Sequence, residues 1–155
     1  MKAVREIVAA LGVLCTIAVV ADFYSRLPAK IATHFNAAGV AEGLGAKSTL
    51  WLLVGITVWT YAIMSSVNFL RPMVHSRRPL TAGQETAVWA SVVPLVGWVK
   101  AEMAWVMAYL CLAVVRNGLG LQVGLGRWFG PVSLAVIGAT CAFYFVRIMR
   151  LMRAD

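Results

Sequence analysis

Long apolar runs alternate with short polar segments along the chain, and four of the runs approach or exceed the length of a membrane crossing. A helix needs about 20 predominantly apolar residues to cross the hydrocarbon core, with roughly 17 as the lower limit. The pattern therefore predicts an all-α, polytopic membrane protein whose four transmembrane helices form one bundle and one domain over residues 1–155. The predicted helices cover residues 7–24, 50–70, 87–115 and 128–149.

The third apolar run is longer than a bilayer requires. It extends from Ala87 to Val115, which is 29 residues and about 43 Å of α-helix at 1.5 Å per residue. Because the hydrocarbon core is roughly 30 Å thick, this helix must tilt, kink or project from the membrane. Pro94 is the expected kink site, since proline lacks an N–H and its ring clashes with the preceding turn.

Composition supports the membrane assignment and excludes several other classes. Hydrophobic residues make up 61% of the chain and charged residues 13%, whereas soluble domains have roughly 45–50% and about 25%. A soluble enzyme, a disordered tail and a nucleic-acid-binding domain are therefore poor interpretations, despite a net charge of +8. The basic residues stand dispersed at the ends of apolar runs rather than clustered among stacking aromatics, so no nucleic-acid partner is expected.

The distribution of basic residues predicts the orientation, because cytoplasmic loops of membrane proteins collect Lys and Arg. Five of them fall in the first and third loops: Arg26, Lys30, Lys47, Arg116 and Arg127. Eight fall at the two termini and in the second loop: Lys2, Arg5, Arg71, Arg77, Arg78, Arg147, Arg150 and Arg153. Both termini are therefore expected in the cytoplasm, and the first loop, residues 25–49, is expected outside.

The first loop carries an apolar residue at every fourth position, namely Leu27, Ile31 and Phe35. This spacing predicts a short amphipathic helix, with Pro28 in its first turn. Such a helix would lie in the outer membrane interface with its apolar stripe at the acyl boundary. The alternative interpretation of the segment is a lid or a ligand-contacting loop.

The same loop contains an ordered motif that resembles a known family. The motif comprises Leu27, Pro28, Ile31, Thr33, His34, Phe35, Asn36, Gly39, Glu42, Gly43 and Lys47, followed by Ser48. It resembles the bacterial membrane domain called domain of unknown function 1648, which also forms the N-terminal part of SdpI-type immunity proteins. Two positions depart from the family pattern: Ala32 stands where proline is usual, and Glu42 where aspartate is usual.

The resemblance implies a location in the bacterial cytoplasmic (inner) membrane but little about activity. Most members of the family have no assigned activity. The immunity proteins protect the producing cell against a membrane-active toxin and can sequester a transcriptional repressor at the membrane. This chain has no convincing counterpart of their second, C-terminal domain. The resemblance therefore implies the immunity role only weakly for this protein.

Two charged residues, Lys100 and Glu102, interrupt the third apolar run. Each costs roughly 2.5–3.5 kcal/mol near a helix centre on insertion scales, and two positions apart they point about 200° away from each other. Each therefore needs its own partner. The candidates are Thr140, a neighbouring subunit, or polar residues of the second run, which are Thr57, Thr60, Tyr61 and Ser65.

Two interpretations of these charges remain open. In the functional one, Lys100, Glu102 and Tyr61 form an ion, proton or partner site within the membrane. In the structural one, the embedded part of the helix begins near Leu95, Lys100 reaches towards the cytoplasm, and Glu102 is a satisfied structural acid.

No motif points to catalysis, to a metal or to another cofactor. The two histidines, His34 and His75, fall on opposite sides of the membrane in the predicted topology, so they cannot share one ligand. Metalloprotease, nucleophile-elbow and phosphate-loop motifs are absent from the sequence. We therefore expect a protein that is not an enzyme and that binds neither a metal nor another cofactor.

The function that these observations favour is partner binding through the helices and the outer loop. The protein would be an accessory subunit of a larger membrane complex, or an immunity-like or signal-relay protein. Its partners would be the lipid bilayer and either another membrane protein or further copies of itself. The alternative is a small ion- or proton-coupled carrier or channel that uses Lys100 and Glu102.

Overall fold

The computed structural model describes residues 2–67 and 81–153. Within these ranges, a single turn of 3-10 helix (Tyr24–Arg26) and a two-stranded sheet separate the first helix from the second. The elements in chain order are α1 (Lys2–Phe23), β1 (Lys30–Phe35), β2 (Ala41–Ala46), α2 (Thr49–Ser65), α3 (Ala82–Gly118) and α4 (Phe129–Arg153).

The described helices agree with a membrane protein. Three segments are long and apolar enough to cross a bilayer: Lys2–Arg26, Ala82–Gly118 and Phe129–Met152. The second helix, α2, is equally apolar in character but has 17 residues. The last part of the predicted second span, together with His75, Arg71, Arg77 and Arg78, lies outside the described residues.

Helix α3 is the centre of the bundle, because α1, α2, α4 and β1 all pack against it. Its 37 residues continue through Pro94 without interruption and give a length of about 55 Å. Small side chains on α3 allow the close approach on which helix association in lipid depends. Four alanines of α3 are buried: Ala101, Ala104, Ala108 and Ala113.

The described residues are mostly helical, as expected of an all-α membrane protein, but the first loop is an antiparallel β-hairpin, so the prediction of an interfacial helix there was wrong. The pairs Ile31↔Gly45 and His34↔Gly43 belong to the register of β1 with β2. The physical reason is that Ile31 and Thr33 are β-branched residues, which favour strands. Gly39, with φ of 76°, supplies the left-handed backbone that the turn between the strands requires.

The hairpin is packed against the helices at the end of α3 where Gly118 lies. Leu27 and Ile31 are buried, with exposed fractions of 4% and 1%. A Cβ added to Gly118, the last residue of α3, would lie 2.7 Å from Leu27 Cδ2 and 3.0 Å from Ile31 Cγ2. The two residues belong to a core cluster that also contains Val20, Leu50, Val54, Cys111, Val114 and Val115.

The glycine-rich loop between α3 and α4 is held by side chains from α3 and by the turn of the hairpin. The Asn117 side chain accepts a hydrogen bond from Gly124 N at 2.6 Å and donates to Gly124 O at 2.9 Å. Leu125 N donates to Gly39 O at 2.7 Å. The hairpin and the loop between α3 and α4 therefore form one connected unit at this end of the bundle.

Candidate functional site

Lys100 is buried, with 2% of its side chain exposed, and its charge is matched by residues of two other helices. Its Nζ donates to Glu6 Oε2 on α1 at 2.6 Å and to Ser65 Oγ on α2 at 2.9 Å. Glu6 belongs to the second turn of α1, and Ser65 is the last residue of α2. The ion pair thus lies towards one end of α1 and α2, which favours the structural interpretation of Lys100.

Tyr61 completes this cluster. Its hydroxyl donates to Glu6 Oε2 at 3.4 Å, and the Lys100 Nζ lies 4.6 Å from the centre of its ring. A cation at this distance is attracted by the face of the aromatic ring. Tyr61 and Ser65 were among the partners expected for Lys100, whereas Glu6 was not.

Glu102 belongs to the opposite side of α3 and to a different site. Thr140 Oγ1 on α4 donates to Glu102 Oε1 at 2.6 Å, and Thr140 was one of the candidate partners named for the two charges. The second oxygen, Oε2, is buried and has no hydrogen-bond partner within the described residues. Lys100 and Glu102 therefore do not form one site.

The Glu102 side chain lines a cavity of about 590 Å³ between α3 and α4. Apart from Glu102 and Ser133 its walls are aromatic or aliphatic. Tyr109 and Phe129 stack beside it with ring centres 4.8 Å apart. The lining residues are Val8, Trp98, Ala101, Glu102, Trp105, Val106, Tyr109, Trp128, Phe129, Val132, Ser133, Val136 and Ile137.

Asn36 organises the turn of the outer hairpin. Its Oδ1 accepts hydrogen bonds from the backbone N–H groups of Ala38 and Val40, both at 3.0 Å. Its Nδ2 donates to Glu42 Oε1 at 2.8 Å, so glutamate at position 42 still reaches the turn although it replaces the usual aspartate. Asparagine favours such turns because its side chain bonds the backbone a few residues further on.

Lys47 and the strand glycines also have structural roles in the hairpin. Lys47 Nζ donates to the carbonyl oxygens of Tyr24 at 3.1 Å and Leu27 at 3.2 Å. A Cβ added to Gly43 would lie 3.2 Å from His34 Nδ1, so a side chain there would crowd the imidazole. His34 is exposed and its Nδ1 contacts Thr33 Oγ1 at 3.1 Å.

The motif residues thus build a hairpin and seat it on the helices: Leu27 and Ile31 anchor it, while Asn36, Gly39, Glu42 and Lys47 shape it. The structure gives none of them a position beside Lys100 or Glu102. Among the described residues, no group of three or more His, Cys, Asp and Glu side chains is placed to hold a metal ion.

Comparison with known proteins gives one match. The family model described as domain of unknown function (DUF1648) matches residues 10–58, about one third of the chain. Neither the curated proteins nor the solved structures give a match. The matched segment runs from α1 through the hairpin into α2, whereas Lys100, Glu102 and the cavity lie on or between elements beyond it. Residues 10–58 of this protein are therefore similar to the DUF1648 family.

Proposed function

We propose that the protein crosses a bacterial cytoplasmic membrane four times, with both termini in the cytoplasm, and acts without catalysis by binding another membrane protein. Three long apolar helices and the similarity to the DUF1648 family support the membrane location. As the fourth span, α2 contributes 17 described residues, which is about 25 Å of helix and reaches the lower limit for a crossing.

The observation that carries this proposal is the free surface of α4. In the most apolar 18-residue stretch of α4, no residue is buried inside the bundle. In the corresponding stretch of α3, 44% of the residues are buried. Its partly covered positions, Ser133, Ile137, Thr140 and Tyr144, recur at three- and four-residue spacing. They define the face that packs on α3.

The opposite face of α4 is made of small residues. At 100° per residue, Ala135 and Ala142 point about 180° away from the face that packs on α3, and Gly138 and Ala139 flank them. All four are exposed, and a Cβ added to Gly138 would meet nothing within 4 Å. In lipid, such residues let a second helix approach closely, so this face suits a helix of another protein.

The outer unit of hairpin and loop supports a second contact with the partner. It is held in one shape by the bonds of Asn36, Asn117 and Gly39, and it exposes apolar side chains. The most exposed are Val123 at 92%, Leu44 at 70% and Leu121 at 67%. A partner that packs on α4 would meet this surface at the end of the helix.

The alternative function, an ion- or proton-coupled carrier, has less support. Lys100 is bonded to Glu6, Ser65 and the Tyr61 ring. The cavity beside Glu102 has mostly apolar walls, whereas a polar solute needs hydrogen-bonding groups along its path. The carrier hypothesis predicts that Glu102→Gln abolishes solute or proton flux into vesicles that contain the purified protein.

The proposed function is tested by mild detergent extraction of the natively expressed protein, followed by native mass spectrometry. Stoichiometric co-migration with other membrane subunits supports an accessory role, and co-migration with a toxin peptide supports an immunity-like role. Gly138→Leu should remove the partner because the new side chain blocks the approach of its helix. Cys141→Leu, a similar enlargement at an exposed position on the flank of α4, should leave the partner bound. A wild-type protein found as a lone monomer would overturn the proposal.

A further inference from the structure

The Glu102 carboxylate is only partly hydrogen-bonded. One carboxylate oxygen accepts the Thr140 hydroxyl, and the other is buried without a partner among the described residues. A buried charge is costly unless it is paired and hydrogen-bonded, and more so in a helix that crosses lipid. Since Lys100 faces α1 and α2, its ammonium group does not bond Glu102.

The cavity that Glu102 lines is open towards the surface of the helices, and its volume and walls resemble those of a small-molecule site. Its volume of about 590 Å³ lies within the range of roughly 300–1,000 Å³ that is usual for ligand pockets. Five aromatic side chains contribute to the lining: Trp98, Trp105, Tyr109, Trp128 and Phe129. Aromatic faces attract organic cations, and their rings also accept apolar groups.

Two of the other polar groups around the cavity are occupied by hydrogen bonds. Trp105 Nε1 donates to Val8 O at 3.0 Å, and the Tyr109 hydroxyl donates to Leu125 O at 2.9 Å. Glu102 is the charged residue of this lining, so its carboxylate determines which polar feature a ligand must carry. An anion would be repelled by the carboxylate, and a wholly apolar ligand would leave its second oxygen unpaired.

We propose that this cavity binds a lipophilic ammonium ion, an amine that is protonated at neutral pH and carries an apolar body. Its N–H donates to Glu102 Oε2, and its apolar part lies against the aromatic side chains between α3 and α4. The terminal torsion of a glutamate side chain is broad, so a small rotation turns the buried oxygen towards the ligand. This site is independent of the small-residue face of α4 and goes beyond the proposed function.

The experiment uses the full-length protein in nanodiscs of zwitterionic lipid. The probe is para-bromophenyl-butylamine, whose bromine quenches tryptophan fluorescence on contact, and the matched control is the neutral para-bromophenyl-butanol. Partitioning into lipid gives quenching that does not saturate, whereas binding beside Trp98, Trp105 and Trp128 gives a saturable component. We expect the saturable component with the amine and its absence with the alcohol.

Two variants locate the site. Glu102→Gln keeps the shape and removes the charge, so it should weaken binding of the amine by about tenfold or more, as expected for the loss of a charged hydrogen bond. Ser133→Phe fills the cavity without changing its charge and should abolish the saturable component. Glu85→Gln, which removes an exposed carboxylate from the first turn of α3, should bind as the wild type does.

Three results would each overturn the inference. They are equal affinity for the amine and the alcohol, unchanged binding in Glu102→Gln, and quenching without a saturable component in the wild type. Because purified protein without any partner is used, the outcome is separate from that of the native mass spectrometry. Loss of amine binding in Glu102→Gln, with a partner still bound to α4, would support both proposals.

Discussion

Gly12 on α1 lies directly against Ala104 on α3. A Cβ added to Gly12 would come within 2.9 Å of the Ala104 Cβ and 3.1 Å of its carbonyl carbon, so the two backbones are nearly in contact. Nearby, the Trp105 indole N–H donates to the carbonyl of Val8 at 3.0 Å. In lipid, where apolar burial between helices contributes little, such close contact is a main source of helix association.

Gly12→Ala should therefore destabilise the bundle, because the new methyl group must push α1 away from α3. We expect a loss of about 1–3 kcal/mol in the free energy of unfolding, as is typical of overpacking. Gly55→Ala is the matched control, since a Cβ there meets nothing within 4 Å and both variants have the same gain in helix propensity. Thermal unfolding in detergent measures both. Equal unfolding temperatures for the two variants would contradict the close α1–α3 contact.

The Glu6–Lys100 pair should respond asymmetrically to mutation. Lys100 is 2% exposed and Glu6 is 39% exposed, so the ammonium group depends on its partner more than the carboxylate does. Glu6→Gln leaves a buried ammonium without a counter-charge, which should cost about 3 kcal/mol. Lys100→Met removes the buried charge and leaves a carboxylate in contact with solvent, so the loss should be smaller.

The double variant Glu6→Gln with Lys100→Met provides the control for this pair. It should be more stable than Glu6→Gln alone, because no unpaired buried charge remains. Denaturation in detergent at constant pH measures the order of the three variants. If Lys100→Met proves the most damaging, the stabilising role assigned to Glu6 is incorrect.

Asn36→Ala should loosen the outer hairpin. The substitution removes the acceptor of two backbone N–H groups and the donor to Glu42, and we expect a local cost of about 1–3 kcal/mol. Faster hydrogen exchange at the amides of Ala38 and Val40 is the direct measurement. Asn36→Asp retains the acceptor, so these amides should exchange more slowly than in Asn36→Ala. Combining Asn36→Asp with Glu42→Gln should slow the exchange further, because it removes the repulsion between two carboxylates.

The proposed orientation predicts which positions can be labelled from outside the cell. Val123→Cys, at a position with 92% exposure in the loop between α3 and α4, should react with a membrane-impermeant maleimide in intact cells. Lys2→Cys, at the start of α1, should react after the membrane is permeabilised. Labelling is measured by gel shift against the wild type, which carries its three natural cysteines. The reverse pattern would place both termini outside.

The sequence predicts the helices well because length and hydropathy are properties of a single segment. The hairpin was missed for a specific reason. Leu27, Ile31 and Phe35 match a helical spacing of four, but Ile31, Thr33 and Phe35 equally match the alternation of a strand, and short segments satisfy both periods. The turn at Asn36 and Gly39 was the signal that favours the strand.

For the charged residues, too, the sequence predicts what depends on a single helix and misses what depends on how two helices pack. The helix period was sufficient to predict that Lys100 and Glu102 face apart, and Thr140, Tyr61 and Ser65 could be named as partners from polarity alone. Glu6 was not identified, because it stands among basic residues at the beginning of α1, where an acid looks like part of a solvated terminus. Its pairing with Lys100 depends on how α1 and α3 align, which no local pattern encodes.

The length of α3 has a mechanical consequence. Leu27 and Ile31 seat the outer hairpin on its last residue, Gly118, and a capping box formed by Thr81 and Gln84 closes its other end. This uninterrupted helix of about 55 Å joins the hairpin at one end to α1, α2 and α4, which pack against it. A force that shifts the hairpin is therefore transmitted along α3 to the opposite end of the bundle. Mechanical coupling between the two ends of the bundle is therefore inherent in this single helix.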